Sequence, residues 1–181
     1  MNLPNKLTML RVLMVPVFVF VLMSNVFSDP MNRYVAVGIF ILASLTDALD
    51  GYIARSQNLI TNFGKFMDPV ADKILVCAAL ICMVELNALS AWVVILIISR
   101  EFIVTAFRLV ASLDNIVIAA SSTAKFKTIF QMIMVICVLL AFQDTWYVFL
   151  CNMLIGLSVI FTIVSAVEYI AKNQSVFKDS M

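Results

Sequence analysis

The stretch RYVAVGIFILASLTDALDGYIAR (33–55), SQNLITNFGK (56–65), FMDPVADKILVCAALICMVEL (66–86) decides the fold. Its first and third segments are apolar runs of 23 and 21 residues, and a bilayer is crossed by a helix of roughly 20 apolar residues. The middle segment is polar and ends in glycine and lysine, so it reads as a short connector that turns the chain back. Acidic residues gather at that turn. Asp47 and Asp50 lie toward the end of the first helix, and Asp68 and Asp72 toward the start of the second.

The rest of the 181-residue chain follows the same pattern. It is 64% hydrophobic and 13% charged, against about 25% charged residues in an ordinary soluble domain. The apolar runs predict six helices, over 7–27, 33–55, 66–86, 91–111, 126–142 and 146–171. The expected class is therefore an all-α polytopic membrane protein with six transmembrane helices. It forms one domain over 1–181, since the length leaves no room for a separate soluble module. The first run follows Lys6 and Arg11 as a signal peptide's would. No small-x-small cleavage pattern comes after it, and it reads as a retained span.

Basic residues set the expected orientation. With the N-terminus inside, the inner ends receive Lys6, Arg11, Arg55, Lys65, Lys73, Arg108, Lys125, Lys127, Lys172 and Lys178, while the outer side receives Arg33 alone. This is a positive-inside pattern with both termini cytoplasmic. The two longer connectors, 56–65 and 112–125, then face the cytoplasm together with most of the polar residues. A cytoplasm-facing active-site cleft is the expectation, in a cell (inner, cytoplasmic) membrane.

A net charge of +1 argues against a nucleic-acid partner. The chain has no histidine, which excludes imidazole ligands and His general bases. Cys77, Cys82, Cys137 and Cys151 sit in apolar runs without a CxxC pair and read as small hydrophobes, with neither disulfides nor zinc expected. The Phe and Met residues read as lipid contacts and packing. Glu85 and Glu168, near span ends, read as solvated.

Asp47 and Asp50 are three residues apart and share a helix face, and Asp68 and Asp72, four apart, share another. Two consecutive antiparallel helices can thus aim four carboxylates into one cleft. Carboxylates at a membrane edge are expensive and point to function. Oxygen-only ligands suit a hard divalent cation, Mg²⁺ or Mn²⁺, and shared carboxylates can hold a pair of them. The alternative is a set of solvated helix ends, with Asp68 before Pro69 as an N-cap. That alternative does not account for Asp47, eight residues or ~12 Å inside the end marked by Arg55. Two of the four glycines, Gly51 and Gly64, flank the cluster. Glycine within a helix costs roughly 1 kcal/mol against alanine, and its missing side chain lets a ligand approach. Ala54 keeps the same face small, and Arg55 offers a fork for phosphate.

Asp47-x-x-Asp50-Gly51-x-x-Ala54-Arg55, eight residues, then Gly64-x-x-x-Asp68-x-x-x-Asp72 resembles the full signature of the CDP-alcohol phosphotransferases at all eight specified positions. The likeness covers nearly the whole chain. Pro4-Asn5-Lys6-Leu7-Thr8 with Arg11, Asp68-Pro69-Val70-Ala71-Asp72-Lys73, Arg100-Glu101, Arg108 and Lys125-Phe126-Lys127-Thr128 resemble the branch of that family that uses glycerol 3-phosphate. One departure is Ala124, where glycine is expected. It alters local backbone freedom and removes no charged contact.

The resemblance implies a six-helix homodimer reacting at the cytoplasmic surface. The donor would be CDP-diacylglycerol and the acceptor sn-glycerol 3-phosphate, giving phosphatidylglycerophosphate and CMP. Asp47, Asp50, Asp68 and Asp72 would hold the metal, with Asp72 also the general base. Gly51, Ala54, Arg55 and Gly64 would line the nucleotide side, with Asn5 and Thr8 near the cytidine. Arg100, Arg108, Lys125 and Lys127 would bind the acceptor's phosphate. Arg100, about nine residues into its span, needs a partner or a substrate phosphate. Glu101 is expected on another part of the helix.

Two other readings stay open. Within the family, the same phosphatidyl group can go to phosphatidylglycerol (as in cardiolipin synthesis), serine or inositol phosphate, and the signature does not separate these acceptors. A cation-coupled transporter would place its acids near the midplane on broken helices of related halves. Here the acids crowd one face, and no internal repeat is evident.

Overall fold

The computed structural model describes residues 3–24, 26–56, 62–113 and 122–172. These form six helices: α1 (Leu3–Met23), α2 (Met31–Ser56), α3 (Asn62–Glu85), α4 (Ala91–Leu113), α5 (Ser122–Leu140) and α6 (Thr145–Lys172). They divide into two compact units, Met1–Ala88 with α1 to α3 and Leu89–Met181 with α4 to α6.

In the first unit α1 packs against both α2 and α3. Its buried positions are Thr8, Arg11, Val15, Phe18 and Leu22, an alternation of three and four residues that keeps one stripe on one face. Facing residues include Ala36, Phe40 and Ala43 on α2, and Ala71, Leu75 and Ala79 on α3. The alanines let backbones approach closely, as small residues do where helices pack in lipid. Phe18 and Phe40 fill the centre with rings 6.0 Å apart. Outside the stripe α1 stays apolar, with Leu10, Leu13, Val17 and Phe20 exposed. A helix with so apolar an outer face is suited to a lipid surround.

The α1–α2 connector is tied by a buried asparagine. Asn32 Oδ1 accepts from the Phe27 amide at 2.9 Å, and its Nδ2 donates to the Ser24 carbonyl at 2.6 Å. α3 ends in a Schellman motif: Asn87 takes the left-handed conformation (φ 56), Ala88 N donates to Met83 O at 2.8 Å and Asn87 N to Val84 O at 3.0 Å.

In the second unit α6 packs against α5 and α4. Phe130 of α5 stacks on Phe161 of α6 with centroids 5.0 Å apart. The buried line of α6 is Leu154, Ser158, Thr162 and Ser165. The Thr162 hydroxyl donates to the Ser158 carbonyl at 2.7 Å, and the Ser165 hydroxyl to the Thr162 carbonyl at 3.1 Å. Hydroxyls turned onto their own helix need no other partner, so Thr162 and Ser165 sit in the buried seam at little cost.

Lys6–Met23, Thr123–Leu140 and Thr145–Ala171 are long and apolar enough to cross a membrane, and Met31–Thr46 is a shorter apolar stretch of α2. α4 carries Arg100, Glu101 and Arg108, so composition alone does not mark it. The chain's two tryptophans, Trp92 and Trp146, are exposed at the second positions of α4 and α6. Interfacial tryptophans favour such helix ends.

The Phe18–Phe40 contact gives a direct test of the first unit's core. Phe40→Ala should cost about 3–5 kcal/mol of stability, while Leu13→Ala on the exposed face should cost under ~0.5 kcal/mol. Thermal unfolding of the detergent-solubilised variants reads the difference.

Candidate active site

The buried stripe of α1 is apolar from Val15 to Leu22 and becomes polar toward its start, at Thr8 and Arg11. Arg11 is fully buried, its Nε donating to the Ala43 carbonyl at 3.3 Å. The Thr46 hydroxyl donates to the same carbonyl at 2.7 Å. Arginine is almost never buried this completely without a charge or hydrogen-bond partner. Ala43 stands one helical turn before Asp47, so a guanidinium is anchored on α2 just where its acidic segment begins.

Asp47, Asp50, Gly51, Ala54 and Arg55 occupy the last turns of α2, which ends at Ser56. α3 begins at Asn62, which places Gly64 in its first turn and Asp68 and Asp72 within the helix. The N-cap reading of Asp68 is thereby removed, because six residues of helix precede it. Only 57–61 join the two helices, so their ends are separated by no more than about 20 Å of chain. The side chains at these positions, and that of Asn5, lie outside the described residues. Among the described residues no group of three His, Cys, Asp or Glu is arranged to hold a metal. The donor set at the α2 and α3 ends is four carboxylates at three- and four-residue helical spacings. It is all oxygen, and its chemistry fits a hard divalent cation.

The second unit holds a different cluster. Glu101 Oε1 accepts from Arg100 Nη1 at 2.9 Å and from Lys127 Nζ at 2.5 Å. Lys127 is 2% exposed. The expectation that Glu101 lies away from Arg100 is corrected. Successive residues point about 100° apart on a helix, yet the long arginine side chain reaches across to the carboxylate. Lys125 is exposed while Lys127 is buried, because positions two apart fall on nearly opposite sides of a helix. Arg108 is half-buried, and its Nε has no hydrogen-bond partner among the described residues. Both Arg108 and Arg100 lie near enough to the Tyr169 hydroxyl to act on it electrostatically. Glu168 accepts a hydrogen bond from the Thr123 hydroxyl, tying the start of α5 to the end of α6. The reading of Glu168 as solvated is corrected accordingly. Glu85 is exposed.

The structure therefore joins Arg100 to Lys127, sets Arg108 beside Tyr169, and leaves Lys125 at the surface. Thr8 is buried on the α1 stripe near Arg11. Sequence reading missed Arg11, Glu101 and Tyr169 as parts of polar sites. For Arg11 the signal was available, since a charge stands at a core position of a three-four repeat. For Glu101 it was the presence of an acid within an apolar run.

The sequence pattern of the CDP-alcohol phosphatidyltransferases matches residues 1–164. A CDP-diacylglycerol–glycerol-3-phosphate 3-phosphatidyltransferase of Bacillus subtilis (strain 168) is 42% identical, over 99% of this chain and 98% of the relative. One of the same name from Rickettsia typhi is 32% identical over 97% of this chain and 99% of its own. A probable phosphatidylglycerophosphate synthase of Mycobacterium tuberculosis is 38% identical over 94% of this chain and 81% of its own. The chain belongs to the CDP-alcohol phosphatidyltransferase family. Its long apolar helices fit that membership as a multi-pass membrane protein.

If Arg11 balances the aspartate cluster, Arg11→Met should destabilise the protein by about 3–5 kcal/mol in EDTA, the scale of a broken buried charge interaction. Saturating Mg²⁺ should restore part of the loss by supplying the missing positive charge. An equal loss of melting temperature with and without Mg²⁺ would assign Arg11 to packing alone.

Proposed function

We propose that this chain transfers the phosphatidyl group from CDP-diacylglycerol to sn-glycerol 3-phosphate, releasing CMP and forming phosphatidylglycerophosphate. The observation that carries this reading is identity along almost the whole chain to relatives bearing that activity's name. The buried cationic cluster of the second unit supports it, because an acceptor with its own phosphate needs such a pocket.

In this mechanism the free primary hydroxyl of glycerol 3-phosphate attacks the phosphorus that bears the diacylglycerol. A new P–O bond forms, the P–O bond to CMP breaks, and CMP departs with the electron pair. Asp72 takes the proton of the attacking hydroxyl. Asp47, Asp50, Asp68 and Asp72 hold Mg²⁺ or Mn²⁺. The bound metal supplies neutralisation for the pyrophosphate and for the charge that develops on the leaving group. Gly51, Ala54 and Gly64 leave room for the nucleotide and Arg55 binds its phosphate, with Asn5 and Thr8 toward the cytidine. Arg100, Arg108 and Lys127 hold the acceptor phosphate. Lys125, exposed two residues before Lys127, adds to the positive field that draws the anion in.

The proposed setting is a single catalytic domain over 1–181 that crosses the cell membrane six times. Both termini and the active-site cleft face the cytoplasm, and two copies form a homodimer. The positive-inside distribution of Lys and Arg supports the orientation. The runner-up is the same donor chemistry with another acceptor: phosphatidylglycerol, serine or inositol phosphate.

Purified protein given CDP-diacylglycerol, Mg²⁺ and each acceptor in turn should release CMP fastest with sn-glycerol 3-phosphate. A clear preference for phosphatidylglycerol, serine or inositol phosphate would replace the acceptor assignment.

The base assignment has its own test. Asp72→Asn keeps the shape and an oxygen but cannot take the proton, so kcat should fall roughly 10²–10⁴-fold with CDP-diacylglycerol binding retained. Asp47→Asn should weaken metal and nucleotide binding together. If Asp72→Asn loses both affinities as severely, Asp72 is a ligand and another group is the base.

A further inference from the structure

The carboxylate at the centre of the second unit's cationic cluster has no assigned part in the reaction. We propose that Glu101 is the positioning residue of the acceptor-phosphate site: it holds Arg100 and Lys127 as a fixed pair, and so selects a phosphate monoester. The proposal rests on the acceptor reading above.

Two cations meet at one carboxylate oxygen. Arg100 Nη1 is 2.9 Å and Lys127 Nζ 2.5 Å from Glu101 Oε1. Without the carboxylate they would repel each other across a short distance in a medium of low dielectric. The Lys127 side chain is 3% exposed and that of Arg100 10%. A lysine ammonium sits on a four-carbon stem with about 2 kcal/mol of rotamer entropy, and here that freedom is removed before any ligand arrives. The contact also joins α4 to α5, from residues 26 positions apart in sequence.

Donor capacity remains beyond the carboxylate. Arg100 Nε and Arg108 Nε are buried and have no hydrogen-bond partner among the described residues. Buried donors of this kind call for an acceptor. Arg100 and Arg108 both act electrostatically on the Tyr169 hydroxyl, so both charges lie within electrostatic range of one point in the unit. Three cations, Arg100, Arg108 and Lys127, less one carboxylate leave two positive charges. A phosphate monoester carries about −1.5 to −2 at pH 7. A phosphate placed there is balanced, whereas an uncharged alcohol leaves the cations uncompensated.

The test measures binding of inorganic phosphate, sn-glycerol 3-phosphate and CDP to the full-length protein in detergent with Mg²⁺, alongside turnover. Glu101→Gln should weaken phosphate and glycerol 3-phosphate about 10-fold, the scale of one lost charge-assisted hydrogen bond, with CDP affinity unchanged. Glu101→Asp should recover part of the loss. Combined with Lys127→Gln, the two substitutions should weaken binding by less than the product of their separate effects, because the residues act as one unit. Weakening of CDP and phosphate alike, or wild-type phosphate binding in Glu101→Gln, would overturn the proposal and leave Glu101 as a helix tie. If Glu101→Gln does not fold, the Glu101→Asp protein must still show phosphate-selective weakening, and its absence is decisive against the role. Wild-type protein that binds phosphate through Glu101 but turns over a different phosphorylated acceptor would sink the glycerol 3-phosphate reading and leave this one standing. Wild-type protein that binds no phosphate would sink both.

Discussion

Four aspartates toward the end of α2 and in the first half of α3, in a chain that is 64% hydrophobic, impose an electrostatic constraint on what surrounds them. Mutual repulsion among the carboxylates rises as water is withdrawn. Such a cluster calls for compensating positive charge, fixed or mobile. Arg11, buried on α1 and bonded to the Ala43 carbonyl, is a fixed charge one helical turn before Asp47 in the described structure. At Arg11 the core stripe of α1 departs from apolar residues, just where α2 becomes acidic. The mobile charge that such an all-oxygen donor set suits is a divalent cation.

The second unit meets the opposite problem and solves it in the same manner. Excess cations within an apolar helix bundle are costly unless paired, and Glu101 pairs two of them while Arg108 adjoins Tyr169. The Thr162 and Ser165 hydroxyls of α6 close on their own backbone, which satisfies two of the polar groups along its buried line. Thr123 and Glu168 then tie the polar ends of α5 and α6 together. An acidic centre in one unit and a basic one in the other correspond to the two halves of the proposed reaction, a nucleotide donor neutralised by metal and an anionic acceptor held by cations.

Much of this was legible in the sequence, because apolar runs mark helices that need lipid or protein on every side. The ends were less legible. Val26 and Phe27 are apolar and read as a continuation of α1, yet the helix stops at Met23 because Asn32 captures the Phe27 amide and the Ser24 carbonyl. α3 begins four residues before the expected 66, at Asn62, and α5 four before 126, at Ser122. Polar residues at a helix start break the apolar pattern without breaking the helix. Spacing alone singled out the aspartates as candidates, since helical periodicity is local. It did not reveal the Arg100–Glu101–Lys127 contact, which joins adjacent residues to one 26 positions away and depends on how α5 meets α4. Nor did it reveal which of Lys125 and Lys127 is buried, because that depends on the rotation of α5 about its own axis.

The central claim is that the aspartates at the ends of α2 and α3 form a divalent-cation site. Electron paramagnetic resonance of Mn²⁺ added to EDTA-stripped protein measures this directly, since the free aqueous signal falls as the ion binds. The account predicts saturable loss of the free signal with wild-type protein, its disappearance in an Asp47→Ala/Asp50→Ala double variant, and wild-type binding in Arg108→Ala. Mn²⁺ binding no stronger to wild-type protein than to the double variant would contradict it.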